Sequence, residues 1–214
     1  MRTVSSNHNQ PHNHMITTAY QRAAAGEWVS PADIAGMVRK TLKGAFPETK
    51  FSVRSSSYSV YVRWEDGPTQ KEVDAVVDQY ETRGFDGSID MGHTYSLWLY
   101  PDGTASVAHG DGTSGSLGYV PEVIGSSLKP GGVLCERIAK VFVSTSRCVS
   151  PALKMKAAAA LKAKRMFEDF EWSAEQVGER FVVHGDQFIR GWGAWLSEVI
   201  ESVARGGDKY PVAI

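Results

Sequence analysis

Cysteine is nearly missing from this chain: Cys135 and Cys148 are the two among 214 residues, thirteen positions apart. That spacing lies outside the CxxC pattern of redox and metal sites, so the thiols are expected to be reduced and buried. No apolar run reaches the roughly 20 residues that cross a bilayer. The amino terminus is polar and lacks the apolar core of a secretory signal, which predicts a soluble, cytoplasmic protein. Excess charge is missing as well. A formal net charge of −1 supplies no general pull toward nucleic acid, so any such binding needs a local patch. A nucleophile elbow is absent too; the nearest string, Gly112-Thr113-Ser114-Gly115-Ser116, has neither its spacing nor its strand-to-helix setting. No catalytic residue is assigned.

What is present is enough apolar residue, 42% of the chain, to bury a core. The clearest pattern is the period of two at 51–64. Phe51 and Val53 alternate with Ser52 and Arg54. After three serines, Tyr58, Val60, Val62 and Trp64 share one face while Ser59, Tyr61 and Arg63 share the other. Alternation of this kind predicts a β-hairpin. Asp66-Gly67-Pro68 stops the second strand, because Pro has no ladder donor. Thr69 and Glu72 then open a helix at capping-box spacing, with Val73, Val76, Val77 and Tyr80 at helical intervals. Ser30-Pro31 with Asp33 marks an earlier helix whose buried face is Ile34, Met37, Val38 and Leu42. A second hairpin is expected at 95–100 and 104–109 around Pro101-Asp102-Gly103. The four strands would form one antiparallel sheet with helices on one face. The fold class is α+β.

Residues 1–29 read as a polar, Asn/His-rich tail with a short helix over 15–25, and 30–110 as the α+β module. Residues 111–130 read as a Gly-rich connection and 131–214 as a helical region. Leu134, Ile138, Val141 and Thr145 fall at helical spacing, Ser150-Pro151 opens a helix through Phe170, and Ser173 with Gln176 caps a last helical stretch. Its stripe is Val177, Phe181, Phe188, Trp192, Trp195, Leu196, Val199 and Val203. A bend is expected near Gly185, since a helix-interior glycine costs about 1 kcal/mol against Ala.

The words Phe46-Pro47, Lys50-Phe51-Ser52-Val53-Arg54-Ser55, Trp64, Asp66-Gly67-Pro68, Phe85-Asp86-Gly87 and Asp90 resemble the large polyvalent protein-associated domains, specifically the twenty-ninth family of that series. The likeness runs over about residues 34–90. It implies a small α+β module carried by phages and conjugative plasmids, often inside very long proteins delivered with the element's DNA. It implies no defined reaction. A role by analogy follows: a non-enzymatic accessory protein that occupies a host protein in the bacterial cytoplasm, in counter-defence or transfer support.

Three chemistries are legible in the residues. For protein binding, Trp172, Phe188, Trp192 and Trp195 put aromatic weight of the kind that anchors interfaces on the last segment; the plainer explanation is a helix burying one face. For single-stranded DNA or RNA, the polar side of the sheet would present Arg54, Tyr61, Arg63 and Trp98, rings for bases and cations for phosphates. Lys154, Lys156, Lys162, Lys164 and Arg165 would add a lysine-rich helix that follows a phosphate backbone, unless they simply form a solvated face. For an enzyme, Asp86, Asp90 and His93 cluster around a turn, with Asp66 a further carboxylate, and could do acid–base or metal work; turn chemistry, which Asp-Gly also serves, is the plainer explanation. No cofactor or metal is expected. His8, His12 and His14 lack a Cys or acidic partner to complete a ligand set, and the GxGxxG string at 110–115 leaves a hairpin rather than opening a helix in a βαβ unit.

Overall fold

The computed structural model describes residues 18–122, 129–164, 167 and 170–207. A short helix α1 (Ala19–Ala24) ends at Gly26, whose φ of 69° is the left-handed conformation glycine adopts freely. Ser30 then caps α2 (Pro31–Ala45): its Oγ accepts the Asp33 amide at 3.2 Å and the Asp33 carboxylate accepts the Ser30 amide at 2.9 Å. The expected hairpin follows as β1 (Ser52–Ser55) and β2 (Ser59–Glu65), with Val53 opposite Val62 and Arg54 opposite Tyr61. Val53, Val60, Val62 and Trp64 are buried. Tyr58 departs from the expectation: it lies in the connecting turn, ahead of β2, and is 66% exposed.

Thr69 caps α3 (Gln70–Val77) through the reciprocal bonds its spacing with Glu72 predicts. A single 3₁₀ turn, Asp78–Tyr80, leads into β3 (Arg83–Asp86), β4 (Met91–Leu99), β5 (Ala105–Asp111), β6 (Tyr119–Val120) and β7 (Val133–Cys135). These five form one sheet in which β4 pairs with β3, β5 and β7, all antiparallel. The two hairpins therefore do not share a sheet. The free edge of β2 is taken instead by β8 (Phe142–Cys148), which runs parallel to it with Tyr61 opposite Ser144. The sheets are joined by a common core: Val60 and Val62 of one and Leu97 and Leu99 of the other pack with Ile34, Val38 and Leu42 of α2.

The region after 131 is less helical than its periodicity predicts. Leu134 and Thr145 belong to strands, and Val141 immediately precedes β8. Of the four, Ile138 and Val141 lie in the core, while Leu134 alternates with the core-facing Val133 and Cys135 on β7 and Thr145 bonds Asp74 and Gln70 of α3. Ser150 does cap a helix, α4, but it spans Pro151–Lys162 and stops short of Phe170. Ser173 and Gln176 begin a hairpin rather than a helix, β9 (Ser173–Val177) with β10 (Arg180–His184). Its turn uses Gly178 at φ 62°. A smaller ribbon, β11 (Phe188–Ile189) and β12 (Ala194–Trp195), leads into α5 (Leu196–Ala204). Gly185 marks the exit from β10 at φ 70°. Here α4, α5 and the two ribbons enclose a second core around Leu161, Trp172, Leu196 and Ile200.

Arg147 joins the two cores. It sits on β8, is 6% exposed, and donates to the carbonyls of Asp66 (3.2 Å), Gly67 (2.9 Å) and Ala204 (3.2 Å). Burial lowers its pKa from the usual guanidinium value. Its bond to Ala204 places a cation at the carboxy-terminal end of α5, where the helix dipole is negative. Nearby, the Asp66 carboxylate accepts the Ser150 amide (2.8 Å) and hydroxyl (2.5 Å), holding the start of α4 against the end of β2.

Candidate nucleic-acid interface

Because β1, β2 and β8 turn one side into the core, their other side carries the alternate residues. On β1 these are Ser52 and Arg54; on β2, Ser59, Tyr61 and Arg63; on β8, Phe142, Ser144 and Ser146. Cross-strand register puts Arg54, Tyr61 and Ser144 in one row and Ser52, Arg63 and Ser146 in the next. Ser52, Arg54, Tyr61 and Arg63 line a shallow hollow of about 290 Å³. Tyr61 is 42% exposed. Neither Arg54 nor Arg63 has an ion-pair or hydrogen-bond partner among the described residues. A third guanidinium, Arg83 of β3, lies 5.3 Å from the centroid of the Phe142 ring. Glu65 is the acid on this face, at the far end of β2 opposite Cys148. The surface thus combines free cations, an open phenol ring and small hydroxyls, groups that meet phosphates, base faces and sugar edges.

Arg54, Tyr61 and Arg63 are brought together as the sequence predicts. Trp98 is not among them. It stands half-buried in β4, opposite Ser106 and Leu134 in the other sheet. Phe142, Ser144, Ser146 and Arg83 were missed by sequence reasoning. The signal for β8 was there, in the alternation of Val143, Thr145 and Arg147 with Phe142, Ser144 and Ser146, but an arginine on the inward side breaks the apolar period.

The lysine-rich helix is divided. Lys154 pairs with Glu201, and Lys162 donates to the Trp172 carbonyl at 3.1 Å while covering its ring at 5.5 Å. Lys156 and Lys164 remain exposed, and Arg165 lies outside the described residues, as do His8, His12 and His14. The aromatic set is divided in the same way. Trp172 is 7% exposed in the second core and Trp192 packs edge-on to Phe167 at 5.5 Å. Phe188 and Trp195 are open, 50% and 48% exposed, and meet edge-to-face across β11 and β12 at 6.0 Å.

Of the cluster Asp86, Asp90 and His93, Asp86 and His93 lie within electrostatic reach of each other. Both Asp86 oxygens are engaged, one by the Ser88 hydroxyl (2.6 Å) and amide (2.9 Å), the other by the Leu117 amide (3.2 Å). Those Ser88 bonds hold the Asp86 carboxyl below its usual range. Asp90 takes a left-handed turn position at φ 52°. Asp66 is committed to Ser150. Cys135 and Cys148 are unpaired; Cys135 is buried as expected, Cys148 is exposed instead, and burial pushes the Cys135 thiol up to about 11, which disfavours its thiolate. The GxGxxG string runs through the end of β5 into a turn in which the Gly112 amide donates to the Gly118 carbonyl at 3.1 Å. No helix opens there to receive a pyrophosphate. Among the described residues no group of three or more His, Cys, Asp or Glu could hold a metal ion, and no helix is long and apolar enough to cross a membrane.

Fold and surface define the class: an α+β module with one sheet face left open and charged. Residues 29–118 match the family model of large polyvalent protein associated domain 29. The family is associated with polyvalent proteins of mobile elements. The match takes in both hairpins but ends before β8, the strand that completes the first sheet and carries Arg147. No curated protein and no solved structure matches the chain.

Proposed function

We propose that this chain is a non-enzymatic accessory protein of a mobile element, and that it holds single-stranded nucleic acid on the outer face of β1, β2 and β8. The observation that carries the reading is the pair of guanidiniums, Arg54 and Arg63, bracketing the open Tyr61 ring without a carboxylate partner. Unpaired arginines on a folded surface are available to phosphates at no cost in broken ion pairs. A base stacked on Tyr61 adds roughly 1–3 kcal/mol. Small hydroxyls between the cations let a strand approach the sheet closely. A near-neutral chain can work this way because the patch, rather than the net charge, sets the local field. The setting is the cytoplasm of the bacterial host.

Fluorescence anisotropy with a labelled single-stranded oligonucleotide tests the reading. The wild-type chain is expected to bind, with Tyr61→Ala losing about tenfold in affinity. An absence of binding at high micromolar protein, or indifference to Tyr61→Ala, defeats it.

A second reading, occupation of a host protein, is favoured by the exposed Phe188–Trp195 pair. Paired rings on a short ribbon are the kind of anchor that interfaces bury. Capture from host lysate by the wild-type chain, lost with Phe188→Ser and Trp195→Ser together, is its expected signature; equal capture by both chains counts against it.

A further inference from the structure

Past the 3₁₀ turn, the ends of β3, β4 and β5 and the 112–120 segment form an open groove of about 460 Å³. Its walls are apolar: Phe85 is 57% exposed, Leu117 80%, and Val120 of β6 joins them, opposite Gly110 of β5. Its floor holds His93, which is 8% exposed yet has no hydrogen-bond partner among the described residues. The His93 ring fits there because Gly84 and Gly118 flank it. A Cβ on either would stand 2.0 Å from Nε2 or 2.2 Å from Cγ. One rim is acidic. Asp78 and Glu81 both line the groove, and neither has a basic side chain within ion-pair distance among the described residues. Burial, with Asp74 as a like charge beside it, raises the Asp78 carboxyl above its usual range; burial raises Glu81 as well. An exposed apolar wall, an imidazole that presents its nitrogens to the groove without a hydrogen-bond partner, and two carboxylates without a cation, of which Glu81 accepts the Val143 amide at 3.2 Å, line one hollow. Together they describe a complement.

We propose that this groove docks a short basic peptide segment of a partner protein, in which a lysine or arginine meets Asp78 and Glu81 while an adjacent large apolar side chain enters between Phe85 and Leu117. The size suits one or two side chains rather than a folded surface. The carboxylates repel nucleic acid, so the groove and the arginine face take different partners.

The test is fluorescence polarisation of the full chain with three labelled peptides: alternating lysine and leucine, alternating lysine and serine, and alternating glutamate and leucine. The lysine–leucine peptide is expected to bind at least about tenfold more tightly than either of the others. Asp78→Asn and Leu117→Ser, both at exposed positions, are each expected to weaken it by about tenfold, with unchanged circular dichroism. Arg54→Ala is expected to leave it alone, which separates this groove from the nucleic-acid reading. Equal binding of all three peptides, no binding, or indifference to both groove variants overturns the proposal. So does a dimer in sedimentation that Leu117→Ser dissociates, since the groove would then belong to a second copy of the chain.

Discussion

Gly84 and Gly118 illustrate how tightly one residue constrains another. The imidazole of His93 occupies the space their side chains would fill, with contacts of 2.0 to 2.2 Å for an added Cβ. Gly84→Ala is expected to force the ring out and cost more than about 2 kcal/mol in urea denaturation. Gly36, in the exposed middle of α2 with nothing within 4 Å of an added Cβ, makes the contrast: Gly36→Ala is expected to stabilise by about 1 kcal/mol. Equal effects at the two sites would deny the packing described around His93. Asp78 gives the pH prediction. Its pKa is raised in the folded chain by burial and by Asp74, so within the window between its ordinary and raised values the folded state holds more protons than the unfolded one. Stability therefore falls as pH rises through that window, and the penalty is complete above it. Asp78→Asn is expected to raise the urea midpoint at neutral pH and to lose that advantage below the carboxylate range. Asp102 has the opposite sign: bonds from Thr104 depress its carboxyl, so its contribution is present above the ordinary carboxylate pKa and lost as pH falls through the lower folded value.

Between elements, the critical contact is the one Arg147 makes from β8 to the end of α5. Its three carbonyl acceptors would lose a charged donor in Arg147→Ala, at a cost of about 3 kcal/mol. Calorimetry would then resolve a looser coupling of the two cores; an unchanged melting profile would show that they are held elsewhere. Element by element, legibility followed local chemistry. Ser30, Thr69 and Ser150 cap helices where their spacing says they should, because a cap is decided within four residues. The hairpins at 52–65 and 91–111 were legible for the same reason. β8 was not, since its partner β2 lies some eighty positions earlier and its inward Arg147 hides the alternation. The β9–β10 ribbon was misread because Ser173 and Gln176 imitate a helix cap, while Gly178 decides for a turn.

At the scale of the whole molecule, a strand outside the family match completes a sheet begun within it. Half of the candidate face, Arg54, Tyr61 and Arg63, was legible as the polar side of a hairpin. The other half, Phe142, Ser144 and Ser146, depends on a long-range parallel pairing that no local pattern announces. Trp98 was placed on the wrong surface because two hairpins close in sequence suggest one sheet. Lys154 and Lys162 were drawn into ion-pair and cation–π contacts that only the packing of α4 against α5 and Trp172 creates. The claim on which the functional reading rests is that Arg54 and Arg63 meet phosphates directly. Its most direct measurement is the salt dependence of single-strand affinity for the wild-type chain and for the double variant Arg54→Ala with Arg63→Ala. Each arginine removed should lower the slope of log affinity against log salt by about 0.7. A slope that the double variant leaves unchanged would place the nucleic acid elsewhere or nowhere on this protein.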